Sequence, residues 1–69
     1  MSQSRYQTKL TPVLRHIETH FKQPLDLQQM ADLACLSPYH FHRIFKAVTG
    51  ETPADMVRRL RLQAAADEL

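Results

Sequence analysis

The sequence has few of the residues that build disulfide scaffolds, phosphate-binding loops or membrane spans. Its 69 residues include one cysteine and one glycine. A single cysteine cannot form an intramolecular disulfide and fits a reducing compartment, and one glycine excludes a glycine-rich phosphate loop. No run approaches the roughly 18 apolar residues of a membrane-spanning helix, and the polar start of the chain lacks the apolar core of a secretory signal. We therefore expect a cytoplasmic protein that does not contact a membrane.

Positive charge is concentrated in one part of the chain. The chain as a whole is short enough to form at most one domain. Residues 37–61 contain five cations and two anions, a net charge of +3, whereas the remaining residues contain four cations and five anions, a net charge of −1. A basic surface attracts phosphate groups regardless of nucleotide sequence. The alternative is an ordinary solvated surface, and charge by itself does not distinguish the two.

Helix-start signals recur four times along the chain and predict an all-α fold. Each signal is a residue that can cap a first turn, and three of the four are followed directly by proline, which suits the first helical position. The candidate N-caps are Thr11, Asp26, Ser37 and Thr52. The predicted helices cover about residues 11–22, 27–34, 38–48 and 53–69. We expect Gly50 to end the third helix in the left-handed conformation.

The start of the first helix has a second interpretation. Val13 and Ile17 belong to an apolar stripe that Tyr6 and Leu10 extend towards the N-terminus. A start near Ser4, with a kink at the proline that follows the candidate cap, is therefore an alternative.

The second and third predicted helices are joined by a tight turn at residues 34–37, so that residues 26–50 form a helix-turn-helix. The third helix has apolar side chains at i, i+3, i+4 and i+7, which places them on one face. These side chains are Phe41, Ile44, Phe45 and Val48. The other side carries Tyr39, His42, Arg43 and Lys46. A helix with this division can enter the major groove of DNA.

The outward residues of the third helix have the chemistry for contacts with DNA. Arginine donates two hydrogen bonds to guanine O6 and N7, which suits Arg43. His42 can donate to a base or a phosphate, and Tyr39 offers a ring to a thymine methyl group. Lys46 is placed for the phosphate backbone, and the helix N-terminus at Ser37 favours a phosphate. The alternative is a solvated amphipathic helix, which the helix-turn-helix arrangement makes the weaker interpretation.

Candidate metal and catalytic residues do not form a recognisable site. His16 and His20 have the i, i+4 spacing of two zinc ligands, but no third ligand is evident. Cys35 has apolar neighbours, so we expect a partly buried, unreactive thiol. We predict no metal, no cofactor and no catalytic residue, and hence a protein that is not an enzyme.

The fourth predicted helix is apolar on two sides. One side carries Met56, Val57, Leu60 and Ala64, and the other carries Leu62, Ala65 and Leu69. A helix of this kind normally lies between two bodies. We therefore expect the chain to be a fragment of a protein whose next part covers the second side. The competing function is a protein-interaction module that uses the Leu62/Ala65/Leu69 face, through which the fragment could also self-associate.

Three arginines on the fourth helix point in different directions. Arg58, Arg59 and Arg61 cannot share one face at helical spacing, so one or two of them are candidates for phosphate contacts. For Arg61, an ion pair with an acid such as Asp32 or Asp55 is equally compatible with the sequence.

Several segments in this order resemble the first half of the DNA-binding domain of AraC/XylS-type transcription regulators. The matching segments are the helix at 27–34, Leu36-Ser37-Pro38, the run Phe41-His42-Arg43-Ile44-Phe45-Lys46, Gly50, Pro53 and Arg58-Arg59-Leu60-Arg61-Leu62. They extend from Leu25 to Ala65. The resemblance implies sequence-specific binding of double-stranded DNA by a bacterial regulator.

The family has two helix-turn-helix subdomains joined by a long linker helix. The resemblance implies that residues 1–52 are the first subdomain, a three-helix, homeodomain-like unit, and that residues 53–69 are the linker helix. The second subdomain and the effector domain are then missing from this chain. The resemblance also implies that the helix at 38–48 is a recognition helix that enters the major groove. The implied base contacts are Tyr39, His42 and Arg43, and the implied backbone contacts are Ser37, Pro38, Lys46, Thr52 and Arg58.

Two features depart from the usual family pattern. Met56 stands where the family usually has a bulky aromatic residue, so the local packing is expected to differ. The first helix begins almost at Met1, whereas many members carry their sensing domain before the DNA-binding domain. The resemblance is therefore to members whose effector-binding domain follows the DNA-binding half.

Overall fold

The computed structural model describes residues 2–67, with side chains described from Tyr6 onward. Four helices form in chain order: α1 Ser2–His20, α2 Leu27–Leu33, α3 Pro38–Thr49 and α4 Pro53–Asp67. No strand occurs within these residues, so the all-α prediction is confirmed. Over the same range, no helix combines the length and the apolar content needed to cross a membrane.

The start of α1 differs from the first interpretation of the sequence. The helix begins at Ser2 and contains Pro12, and Thr11 donates a hydrogen bond to the Gln7 carbonyl at 3.0 Å from within the helix. The predicted N-cap at Thr11 is therefore wrong. The alternative of a start before Thr11 is correct, although the helix begins at Ser2 and not at Ser4. Leu10 is fully buried, so continuing the helix through this residue adds its side chain to the apolar stripe.

Side-chain caps begin the other three helices as the sequence predicts. The backbone N–H groups of Gln29, His40 and Asp55 donate to Asp26 Oδ1, Ser37 Oγ and Thr52 Oγ1 at 3.1, 3.3 and 3.1 Å. Each bond satisfies an amide that has no partner inside its helix. Gly50 ends α3 with φ of 83°, and its N–H donates to the Lys46 carbonyl at 2.9 Å. These four local predictions are confirmed.

The first three helices pack pairwise around one apolar core, and α4 contacts α3. The buried apolar side chains are Leu10, Val13, Ile17, Met30, Ala31, Ala34, Phe41, Phe45 and Val57. Phe41 and Phe45 are 1% and 0% exposed, and their ring centroids lie 5.5 Å apart. Because these two rings fill the centre, α3 is fixed in rotation about its axis and its opposite side faces solvent.

Only the first two turns of α4 reach the core. Pro53 and Val57 are buried, and Met56, Leu60 and Ala64 are half-buried, as predicted for the inner side. On the other side Leu62 is 65% exposed and Ala65 is exposed, whereas Leu69 lies outside the described residues. The described part of the chain therefore leaves the second apolar side of α4 in solvent.

The turn between α2 and α3 depends on one residue in an unusual conformation. Cys35 has φ of 58°, in the left-handed region that glycine normally occupies. Its N–H donates to the Asp32 carbonyl and the Leu36 N–H donates to the Ala31 carbonyl, both at 3.0 Å. This pair of bonds is the Schellman motif, which satisfies the last carbonyls of α2 and reverses the chain. The sequence places the turn but contains no glycine that would identify its left-handed residue.

Replacing Cys35 with glycine is expected to stabilise the domain. The left-handed conformation costs an L-residue about 1–2 kcal/mol, and glycine avoids this cost. The larger entropy of glycine in the unfolded state offsets about 0.5–1 kcal/mol of that stabilisation. We therefore expect Cys35→Gly to raise the free energy of unfolding by about 0.5–1 kcal/mol in urea denaturation.

The matched control is Cys35→Ala, which removes the same exposed thiol but keeps the Cβ atom. It should leave the stability nearly unchanged. Equal stabilisation by both variants would show that the thiol, and not the backbone, determines the effect.

Candidate nucleic-acid interface

The outward side of α3 carries the four side chains that the sequence assigns to it. Tyr39 is 69% exposed, and His42, Arg43 and Lys46 are also exposed. All four lie away from the buried Phe41/Phe45 stripe. The structure therefore presents one aromatic and three basic or titratable side chains to solvent on a single helix.

Two of these residues contact each other. The Arg43 guanidinium carbon lies 5.8 Å from the centroid of the Tyr39 ring, and Arg43 Nη1 lies 3.5 Å from the Tyr39 hydroxyl. The first distance is within the range of a cation–π interaction, and the second is a long hydrogen bond. The i, i+4 spacing on a helix permits both contacts.

The other two outward residues have no side-chain partner within the described chain. No hydrogen bond or ion pair joins the side chain of His42 or Lys46 to residues 6–67. Their donors therefore face water. They can bind an acceptor supplied by another molecule without first breaking an internal contact.

Two helix caps are compatible with the backbone contacts predicted for them. Ser37 and Thr52 each use the hydroxyl oxygen to accept a backbone N–H at the start of a helix. The hydroxyl proton of each remains able to donate to a phosphate oxygen. Ser37 and Pro38 are exposed, whereas Thr52 is half-buried and is less accessible.

Most cations of the net-positive region are engaged within the protein. Arg59 Nη2 and Nε lie 3.0 and 3.4 Å from the carboxylate of Glu51. Arg58 lies 3.6 Å from Asp55 in an exposed i, i+3 pair, which contributes little to stability and can open. The predicted phosphate contact of Arg58 therefore competes with Asp55. Because these two pairs neutralise Arg58 and Arg59, the net charge of +3 in residues 37–61 comes from Arg43 and Lys46 on α3 and from Arg61 on α4.

Arg61 makes a different contact from the ion pair considered for it. Its Nε donates to the Phe21 carbonyl at 2.7 Å, and its Nη2 donates to the Gln23 carbonyl at 2.8 Å. Both carbonyls lie in the loop after α1, where a cation also interacts favourably with the helix dipole. Asp32 instead accepts from the Gln28 side chain at 3.0 Å. Arg61 is therefore a structural residue that joins α4 to the end of α1.

The remaining candidate residues fall outside this surface. Cys35 is exposed, so the expectation of a partly buried thiol is wrong, because the left-handed turn directs the residue outward. His16 and His20 stack with ring centroids 4.4 Å apart, and His20 Nδ1 is within 3.0 Å of the His16 carbonyl. In the described part of the chain, no group of three potential ligands is close enough to hold a metal.

A three-helix core, a capped turn and a third helix with an exposed basic side define a helix-turn-helix domain of the type found in DNA-binding transcription regulators. A model of the "bacterial regulatory helix-turn-helix proteins, AraC family" matches residues 17–58. The chain belongs to this family. The match begins in α1 and ends in α4, so it includes the whole helix-turn-helix.

Relatives with assigned functions support the same family. Over 65 residues the chain is 42% identical to the bifunctional transcriptional activator/DNA repair enzyme Ada of Escherichia coli strain K12, covering 87% of this chain and 18% of Ada. Over 64 residues it is 33% identical to the regulatory protein SoxS of the same strain, covering 93% of this chain and 60% of SoxS. Over 51 residues it is 35% identical to the XylDLEGF operon transcriptional activator 2 of Pseudomonas putida, covering 74% of this chain and 32% of that protein.

The chain therefore spans between 18% and 60% of the lengths of these three relatives. The name of Ada joins a regulatory function to DNA repair. The described residues of the present chain include no catalytic domain. No solved structure matches the chain.

Proposed function

We propose that this domain binds double-stranded DNA in a sequence-specific manner, with α3 in the major groove. The observation that supports this proposal best is the division of α3 into two sides. Phe41 and Phe45 are held in the core, while Tyr39, His42 and Arg43 remain accessible. A helix can contact base edges only if its outward side chains are free and its inner side is firmly anchored.

In this proposal, different side chains supply affinity and specificity. Lys46, Ser37 and the exposed start of α3 contact phosphates, which position the protein but carry little sequence information. Arg43 donates its two parallel N–H groups to one guanine, and His42 donates to a neighbouring base or phosphate. Arg58 joins the phosphate contacts only when its exposed pair with Asp55 opens.

We also propose that the fold of the family continues around α4. Residues 1–52 would form the first helix-turn-helix subdomain, and the helix from Pro53 would connect it to a second subdomain. The exposed Leu62/Ala65 side of α4 supports this arrangement, as does the small part of each relative that the chain covers. An effector-binding domain would belong to the same whole protein.

Salt dependence of binding to duplex DNA tests the proposed function. Fluorescence anisotropy with labelled random-sequence duplexes should show binding that weakens steeply between about 50 and 200 mM salt, because phosphate contacts release counterions. Lys46→Ala should lower the slope of log affinity against log salt by about 1. Arg15→Ala is the matched control, since Arg15 is an exposed cation on α1 outside the helix-turn-helix.

The control variant should retain the slope of the unmodified protein. If the unmodified chain showed no binding even at low salt, the DNA-binding proposal would fail and a protein-interaction module would be favoured. An equal loss of slope in both variants would indicate a diffuse positive surface and not a defined site on α3.

A further inference from the structure

Tyr39 and Arg43 contact each other on the outward side of α3. The guanidinium group lies beside the ring at 5.8 Å from its centroid, with Nη1 at 3.5 Å from the hydroxyl oxygen. Lys46, further along the same side of α3, has no comparable support. Arg43 is thus the outward cation of α3 that another outward side chain contacts.

We propose that Tyr39 is a positioning residue, which orients the Arg43 guanidinium for a guanine before DNA binds and does not itself contact a base. This inference rests on the proposed DNA-binding function. It changes the role of Tyr39, which the sequence assigns to direct base contact. It also predicts that discrimination by the protein at one base pair depends on two of its residues, Tyr39 and Arg43.

The geometry of a guanidinium group explains how a ring can assist it. The group is planar and carries five N–H donors in that plane. The long contact of Nη1 with the Tyr39 hydroxyl uses one of these donors and leaves others for O6 and N7 of guanine. A long arginine side chain otherwise loses much conformational freedom when it binds. Holding Arg43 against Tyr39 in the free protein reduces that loss.

A second ring lies near Tyr39. The His40 ring centroid lies 6.3 Å from that of Tyr39, at an interplanar angle of 56°, within the distances typical of aromatic pairs. In solution the cation–π contact is weak because the pair is exposed. It strengthens when a bound duplex excludes water from the surface. The contribution of Tyr39 should therefore be larger in the complex than in the free domain.

The experiment measures base preference in the whole protein. Selection from random duplexes first defines the preferred sequence, and Arg43→Ala then identifies the base pair at which preference is lost. Discrimination at that base pair is measured by competition for Tyr39→Ala and Tyr39→Phe. Both are repeated in an Arg43→Lys background, which keeps the positive charge but lacks the planar fork.

Tyr39→Ala should lower discrimination at the Arg43 base pair by about two- to fivefold or more, because an exposed cation–π contact gives that range and exclusion of water in the complex strengthens it. Tyr39→Phe should retain most of the discrimination, because the ring remains and only the long hydroxyl contact is lost. In the Arg43→Lys background, Tyr39→Ala should have little further effect. Circular dichroism should show unchanged folding, since both side chains are exposed.

The positioning role would be overturned if Tyr39→Ala left the preference at this base pair unchanged, or relaxed a different base pair instead. An equal effect in the Arg43→Lys background would overturn it as well, because Tyr39 would then act independently of the guanidinium. The proposed function fails by a separate result: either the unmodified protein shows no salt-sensitive binding, or Arg43→Ala relaxes no base pair.

Discussion

Phe45→Ala is expected to unfold a large part of the population. The Phe45 side chain is 0% exposed and packs against Phe41 at the centre of the core. Truncating a buried phenylalanine to alanine costs about 3–5 kcal/mol through lost transfer energy and the cavity that remains. A domain of 69 residues has a total stability of only about 3–10 kcal/mol, at about 0.05–0.15 kcal/mol per residue.

Thermal and urea unfolding followed by circular dichroism would measure this effect. Leu62→Ala is the matched control, because Leu62 is a large apolar residue on a helix but is 65% exposed. Its effect should stay within about 0.5 kcal/mol. A loss below about 1 kcal/mol for Phe45→Ala would contradict the central position of the ring, since such a value is typical of a site that is open to solvent.

The helix boundaries could be predicted wherever the signal is local. Asp26, Ser37, Thr52 and Gly50 all act through hydrogen bonds to residues three or four positions away, and all four predictions are confirmed. Thr11 failed because an N-cap and a mid-helix threonine are indistinguishable without the packing around them. The burial of Leu10 determines the outcome, and burial depends on helices distant in sequence.

The outward side of α3 was predictable because it follows from helical periodicity alone. Contacts that span long sequence separations were not predictable in the same way. Arg61 bonds to carbonyls 38 and 40 residues earlier, and the pairing of Arg59 with Glu51 depends on where the α3–α4 turn places the two chains. These contacts engage two of the three α4 arginines. The five cations counted in residues 37–61 therefore overstate the number of side chains that are free to bind phosphate.

Arg43→Ala is expected to produce the largest change in base preference among single substitutions on α3. A bidentate arginine–guanine pair contributes about 1–3 kcal/mol of discrimination against the wrong base, which is about 5- to 150-fold in relative affinity. Arg43 has the guanidinium fork that such a pair requires, and its side chain is exposed beside Tyr39. The loss should be confined to one base pair, because a single fork spans a single guanine.

Competition between the preferred duplex and duplexes with single base-pair changes measures this loss in the whole protein. Lys46→Ala is the matched control, since it removes a cation from the same side of the same helix. The lysine variant should weaken binding to all duplexes by a similar factor, because phosphates are the same at every position. If Arg43→Ala gave that uniform weakening instead, Arg43 would be a phosphate contact, and sequence recognition would have to come from His42 or from the shape of the DNA.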